Sequence, residues 1–343
     1  MIGLLTRAAA ALLVLRLSLC LSGGAGVPAA GDGPARVERR VASMGTLLAV
    51  SVAGPGRAAA LAASEEAVRE IGRVEDRLTT WKTGGPLDRV NRARPGETTA
   101  LDPEVSALLA AVFEWSERTE GAFDPTVAPL VRAWDLRGRG RVPDAGTLAR
   151  ARAATGRHWF RLDAATGEAR RLASGAGIDE GAWGKGYALD RAIEALRRAG
   201  VRDATLDLGG QVSALGRAAV AVADPRARGR TAGSLVLANA SVSTSGNSER
   251  GRVVRGRAIG HLLDPRTGYP APDFGSATVV APSGLVADIL STAFFVLGPE
   301  KGLALSESLR RRGFENRALF LVVAEGGLKV VASPGLDFHR EGD

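Results

Sequence analysis

The chain has 343 residues, 45% of them hydrophobic and 24% charged, with 45 basic against 37 acidic side chains. That is enough apolar material for one large core or two small ones, and it excludes a disordered chain. The formal charge of +8 is spread along the sequence and aromatics make up only 5%, which argues against a dedicated nucleic-acid surface.

The residues before Asp32 include no acid, and Arg7 precedes an Ala/Leu-rich stretch from Ala8 to Leu21 that runs into small residues ending at Ala29-Ala30. This reads as a secretory signal peptide over 1–30, cleaved near Val27–Ala30, and predicts an exported, periplasmic protein. The single cysteine, Cys20, lies inside it. It offers a lipid anchor at the inner membrane as the alternative, and either way the mature chain holds no disulfide. Residues 31–39 read as a flexible leader, 40–335 as one catalytic domain, and 336–343 as a polar tail.

Arg36–Val52 predicts two strands or a bent hairpin around Met44-Gly45-Thr46. Ala58–Thr79 predicts a helix with Leu61, Val68, Ile71, Val74 and Leu78 on one face. Trp81 to Asn91, with its glycines and proline, reads as loop. Asp102–Glu117 predicts a helix, with Asp102 as N-cap and Pro103 at the first helical position. Gly121-Ala122-Phe123-Asp124-Pro125 is a turn, Pro143–Ala154 a short helix and His158–Leu172 a hairpin.

Next comes IDEGAWGKGYALD, Ile178–Asp190. An apolar residue and an acid end a strand, three glycines surround Lys185, and a helical pattern runs from Tyr187 to Arg198. Of the basic residues only Lys82, Lys185, Lys301 and Lys329 are lysine, so a lysine in a glycine loop at a helix start suggests a point charge for a phosphate. A tight strand-to-helix turn with a solvated lysine explains the spacing equally well. Ala204–Leu208 then predicts a strand, Asp224–Gly233 a loop, Ser234–Ala238 a short strand, and Asp264-Pro265-Arg266-Thr267-Gly268 a turn. Ala277–Ala281 reads as strand, Val286–Leu297 as a buried helix and Arg317–Ala332 as a closing hairpin. Strands and helices mix without a regular βαβ pattern or an internal repeat, which predicts an α+β fold in one unit.

Two of these elements carry chemistry. The apolar Val286–Leu297 helix places Asp288 and Thr292 one turn apart on one face. A buried carboxylate needs a partner or a cation, and carboxylate plus hydroxyl suits Mg²⁺ rather than Zn²⁺. An arginine partner for Asp288 and a backbone bond for Thr292 would serve as well. His261 ends a predicted strand three residues before Asp264, placed either as a general base steered by that acid or as a structural histidine.

The ordered set MGT (44–46), RVNRA (89–93), GAFDPTV (121–127), IDEGAWGKGYALD (178–190), LDLGGQVSALG (206–216), STSGNSER (243–250), HLLDPRTGYP (261–270) and ADILSTAFFVLG (287–298) resembles the ApbE family of FAD:protein FMN transferases, from about Arg40 to the C-terminus. The resemblance implies a T-fold-related α+β domain. It also implies Mg²⁺-dependent transfer of FMN from FAD to a Thr or Ser hydroxyl of an exported redox protein, with AMP leaving. FAD hydrolysis to FMN and AMP, or flavin binding without chemistry, are the alternatives. By motif, the metal ligands would be the Ala182 carbonyl, Asp288 and Thr292, with Ser291 as a further candidate. FAD would contact Met44, Trp81, Ala122, Phe123, Asp124, Asp179, Lys185 and Leu262. His261 matches the catalytic histidine, with Asp264 and Lys185 assisting. Trp81 stands where a tyrosine is common, Glu180 and Trp183 replace smaller or apolar residues, and Gln211 replaces a frequent acid.

Overall fold

The computed structural model describes residues 33–227, 229–247, 252–254 and 257–342, so the signal-peptide expectation lies outside the described residues. Among these, no helix is long and apolar enough to cross a membrane. The chain opens with β1 (Ala35–Ser43), β2 (Thr46–Gly54), α1 (Arg57–Leu78), α2 (Pro86–Arg92), β3 (Thr98–Ala100), α3 (Pro103–Arg118), α4 (Ala128–Ala133), α5 (Ala145–Ala153), β4 (Phe160–Asp163) and β5 (Glu168–Arg171). It continues through α6 (Gly184–Arg198), β6 (Ala204–Leu208), β7 (Gln211–Leu215), β8 (Arg217–Ala223), β9 (Thr231–Ala238), β10 (Ser241–Gly246), β11 (Arg252–Val254) and β12 (Arg257–Ile259). It closes with β13 (Gly275–Ala281), α7 (Gly284–Leu297), α8 (Pro299–Arg311), β14 (Arg317–Ala324), β15 (Gly327–Ala332) and β16 (Phe338–Arg340).

An eight-stranded antiparallel sheet in the order β1-β2-β6-β7-β10-β13-β14-β15 forms the frame. Leu48, Val50 and Val52 of β2 alternate inward, as the two-residue strand period requires. Helices α1, α6 and α7 pack side by side against the sheet, and α8 packs on α7. The smaller β16-β9-β8 sheet adds Val222, Leu235 and Leu237 to a second cluster with Val212, Val242, Leu319 and Leu321 of the large sheet. With helices on one face and a second sheet on the other, β7 is buried along its whole length.

The sheet order divides into two like halves. Each is an antiparallel strand pair, a helix, and a second antiparallel pair: β1-β2, α6, β6-β7, then β10-β13, α7, β14-β15. The halves meet where Val212 and Ser213 of β7 face Val242 and Ser241 of β10. The sequence itself shows no repeat. Residues 55–183 interrupt the first half and 247–274 the second, so no fixed period survives.

Other expectations are corrected at the edges. The tail expected at 336–343 contains β16, whose Phe338 and His339 pair with Leu235 and Ser234 of β9. Residues 35–39 of the expected leader are already β1. The Trp81–Asn91 loop contains α2, opened by Pro86 at its first turn. Helices α4 and α8 and strands β3, β7, β8 and β11 lie where the sequence predicts no regular element. The helix at Asp102 stands as read, with the Asp102 carboxylate accepting from the Glu104 and Val105 amides.

Candidate active site

The two half-repeats meet through two copies of Gly-x-x-x-Asp, Gly186…Asp190 on α6 and Gly284…Asp288 on α7. At their crossing the backbones touch. A Cβ on Gly186 would lie inside the radius of the Gly284 carbonyl oxygen, and one on Gly284 would stand 2.6 Å from the Gly186 carbonyl. Each aspartate then reaches the start of the other helix. Asp190 accepts from Ser283 Oγ at 2.6 Å, Gly284 N at 2.5 Å and Leu285 N at 3.0 Å. Asp288 accepts from Gly186 N at 3.1 Å. Free amides and partial positive charge at a helix N-terminus stabilise such carboxylates. Burial pushes the Asp190 carboxyl above its ordinary value, against the pull of those donors.

The same bond shapes the glycine loop. In a continued helix the Gly186 N–H would return to the Ala182 carbonyl; it goes to Asp288 instead, so α6 does not use the Ala182 oxygen at this position. Around Asp288, 4% exposed, stand Ser243, Ser245 and Ser291, all buried. Ser243 Oγ lies 3.5 Å from Asp288 Oδ1, Ser291 Oγ bonds Ser243 at 3.2 Å and Ser245 at 3.0 Å, and Thr292 Oγ1 lies 3.4 Å from Ser245 Oγ. The alternation of β10 puts Ser243 and Ser245 on one face, towards α7. Asp288, Ser291 and Thr292 thus lie in one cluster with two β10 hydroxyls that the sequence did not single out. The period-two SVSTSG pattern was the available signal. Among the described residues no group of three His, Cys, Asp or Glu could hold a metal, so a cation here would rely on hydroxyl and carbonyl oxygens beside one carboxylate.

Lys185 is half-buried at the start of α6, and its charge acts on Asp207 of β6, whose carboxyl burial pushes up. Met44 is the first residue of the two-residue β1–β2 turn, at φ 48° beside Gly45 at 71°. Its amide donates to Glu75 at 2.8 Å, and its Cε lies 3.6 Å from where a Gly184 Cβ would be. The expected flavin contact therefore sits over the glycine loop.

On the other side of this loop Asp179 and Glu180 join segments far apart in sequence. Asp179 N donates to the Pro125 carbonyl at 2.8 Å, and Gly181 N to Asp179 Oδ1 at 2.9 Å. The buried Glu180 accepts from Thr80 N at 3.0 Å and Thr80 Oγ1 at 2.5 Å. Burial first, then the adjacent Asp179 charge, raises the Glu180 carboxyl above its ordinary value. Arg137, which the sequence reading did not single out, donates to the Thr80 carbonyl at 2.9 Å, to Thr80 Oγ1 at 2.6 Å and to Asp179 Oδ2 at 2.6 Å. Its guanidinium carbon stands 4.4 Å from the centre of the Trp81 ring. Trp81 is 65% exposed, while Trp183 is fully buried with its Nε1 donating to the Asp179 carbonyl at 2.8 Å. Trp183 is therefore core, not a ligand surface.

The Gly121–Pro125 turn sits beside this loop through Pro125. Ala122 and Phe123 are buried at 0% and 2%, so both expected flavin contacts are part of the core here. Asp124 Oδ1 accepts from Thr126 N at 2.7 Å and Thr126 Oγ1 at 2.6 Å, and burial raises its carboxyl against those bonds. His261 opens a hairpin in which Ala271 N donates to the Leu262 carbonyl and Asp264 N to the Tyr269 carbonyl, each at 2.8 Å. Leu262 is buried in the main core with Phe123. Trp134 Nε1 ties the turn down at the Gly268 carbonyl, 2.8 Å away. The Asp264 oxygens accept from Arg266 Nε and Nη2, both at 2.9 Å. Asp264 therefore pins its own turn. Gly260 leaves room for Asn247, whose amide nitrogen would be 2.7 Å from an added Cβ.

A single-lysine glycine loop, a helix start and a buried cluster of oxygen donors, held by an antiparallel α+β frame, define a site chemically suited to phosphoryl oxygens. The chain belongs to the ApbE family, whose profile matches residues 44–315. A FAD:protein FMN transferase of Klebsiella pneumoniae is 34% identical over 245 residues, 71% of this chain and 77% of that one. Another from Treponema pallidum is 32% identical over 318 residues, 85% of this chain and 86% of its own. The crystal structure of the ApbE protein of Thermotoga maritima superposes with a TM-score of 0.78 at 30% identity, covering 88% of this chain and 97% of that one. The apo flavinyl transferase ApbE of Pseudomonas stutzeri does so at 0.73 and 29%, covering 88% and 95%.

Proposed function

We propose that this protein is a FAD:protein FMN transferase, moving FMN from FAD to a Thr or Ser hydroxyl of an exported redox protein, with dependence on Mg²⁺ and release of AMP. The observation that carries the reading is the Gly186–Asp288 bond, which joins the lysine-bearing loop to the buried oxygen cluster. Family membership and the names of the relatives support the flavin. The apolar Ala8–Leu21 stretch supports export to the periplasm, with lipidation at Cys20 as the other route.

The donor set fits a hard divalent ion: one buried carboxylate with buried hydroxyls around it. Asp288, Thr292 and the Ala182 carbonyl would hold Mg²⁺, with Ser291 next to them. When bound, the ion supplies Lewis-acid neutralisation of phosphate charge. Lys185 binds the pyrophosphate and stabilises charge developing on it. Trp81 offers an open indole face to a nucleotide ring, and Asp179 and Asp124 accept from its polar groups. The bond that breaks joins the FMN phosphorus to the bridging oxygen that leaves on AMP. The bond that forms joins that phosphorus to the acceptor hydroxyl oxygen, whose proton His261 takes.

The test incubates the chain with FAD, Mg²⁺ and a secreted Thr/Ser-bearing acceptor, and reads flavin fluorescence on the denatured acceptor together with AMP. Both should appear. Asp288→Asn keeps an oxygen for the Gly186 amide and should still fold while turnover falls by about two orders of magnitude or more. Unchanged turnover would refute the assignment of Asp288. AMP with no labelled acceptor would point to FAD hydrolysis, and retained FAD with no AMP to binding alone.

A further inference from the structure

Arg137 lies in the turn after α4 and makes four kinds of contact with one small region. Its planar group covers one face of Trp81 at 4.4 Å from the ring centre. Its edge donates to the carbonyl and hydroxyl of Thr80 and to Asp179 Oδ2. Glu180 Oε2 lies 3.7 Å from the same Nη2. A guanidinium can stack and donate from its rim at once, because its donors lie in the plane of the group; an ammonium cannot. Trp81 is also the most exposed tryptophan among the described residues, at 65%. One indole face is thus held by a cation while the ring remains open to solvent.

We propose that Arg137 is a positioning residue for the nucleotide: it fixes the Trp81 ring as a stacking platform and locks Asp179 beside it, so that ring and carboxylate meet the ligand already in place. This rests on the FAD reading given above. Preorganisation of this kind lowers the cost of binding rather than the barrier to phosphoryl transfer. Arg137 touches Trp81, Thr80 and the two acids, and it acts through them.

The test compares the full chain with Arg137→Lys, which keeps a positive charge between Asp179 and Glu180, and with Arg137→Ala. Without ligand, acrylamide quenching of the Trp81 signal (the difference from Trp81→Ala) should rise in both variants as the second indole face is bared, while Tm stays within about 2 °C. With FAD, both Kd and KM should rise by about tenfold, with kcat within about threefold, a size suited to one lost stacked and hydrogen-bonded cation. In a Trp81→Ala background the Arg137 substitutions should cost clearly less than in the wild-type chain, the remainder coming through Asp179. Rescue by lysine, additive losses, unchanged quenching, or a loss confined to kcat or Tm would each overturn the proposal. A wild-type chain that binds no FAD would refute the functional reading, and this inference with it, whereas wild-type binding that survives both Arg137 substitutions would refute the inference alone.

Discussion

Gly186 answers to three neighbours at once: its amide caps on Asp288, its missing side chain admits the Gly284 carbonyl, and Lys185 precedes it. No rotamer change relieves a Cβ that strikes backbone. Gly186→Ala should therefore destabilise the fold by about 3 kcal/mol or more, at the upper end for overpacking, in denaturant melts. Gly72, inside α1 with nothing within 4 Å of an added Cβ, is the control: Gly72→Ala should stabilise by about 0.5 to 1 kcal/mol. Similar effects at both positions would mean that the helix crossing tolerates separation. At this scale the sequence was informative where residue type is rare. Lys185 stood out as one of four lysines, and Asp288 as an acid in an apolar helix. Arg137 could not, because nothing local separates it from the other arginines. Its role depends on Thr80, Trp81 and Asp179 arriving from elsewhere in the chain.

Among the elements, α1, α3 and α6 are tied together at one carboxylate. Glu104, in the first turn of α3, accepts from Arg73 of α1 at 2.8 Å and from the Tyr187 hydroxyl of α6 at 2.7 Å, and pairs with Arg77 and, at 3.4 Å, Arg191. Burial pushes its carboxyl up, but those hydrogen bonds and arginine charges outweigh this and hold it at about 2, below an ordinary value of 4.5. A depressed folded-state value means the contribution is complete above pH 4.5 and is lost as pH falls from there towards 2. Glu104→Gln should cost about 1 kcal/mol at neutral pH, discounted for solvent screening, and should flatten the decline of Tm across that acid window. A parallel acid limb in the variant would show that other carboxylates set it. Elements with strong local signals were legible here: Asp102 with Pro103 for α3, period-two alternation for β1 and β2, the apolar run for α7. The short α2, inside a glycine- and proline-bearing stretch, was read as loop, and the polar sequence around β16 hid a strand whose partner, β9, lies about a hundred residues earlier.

For the whole molecule, the paired halves of the large sheet were illegible because unequal insertions break their spacing, even though the α+β class was clear from composition and order. The halves are not independent bodies. Strand pairing across β7–β10, the shared core and the exchanged carboxylates bind them together. A fragment of residues 33–225, which holds the complete first half, should show no cooperative thermal transition by circular dichroism, and should gain one when mixed with 226–342. Cooperative melting of the first fragment alone would show that its core suffices.

The exchanged carboxylates also set an order of events in time. The Gly186 amide waits for a residue 102 positions further along the chain, and Asp190 for amides 94 and 95 positions away. A polypeptide emerging from its N-terminus therefore presents α6 with its start uncapped and an acid with no donors until α7 has followed. Contacts this distant slow folding, because the intervening loop must close before either end gains from it. Until then the first half is an unfinished substrate for chaperones and proteases, and the helix that bears Lys185 is completed among the last parts of the molecule.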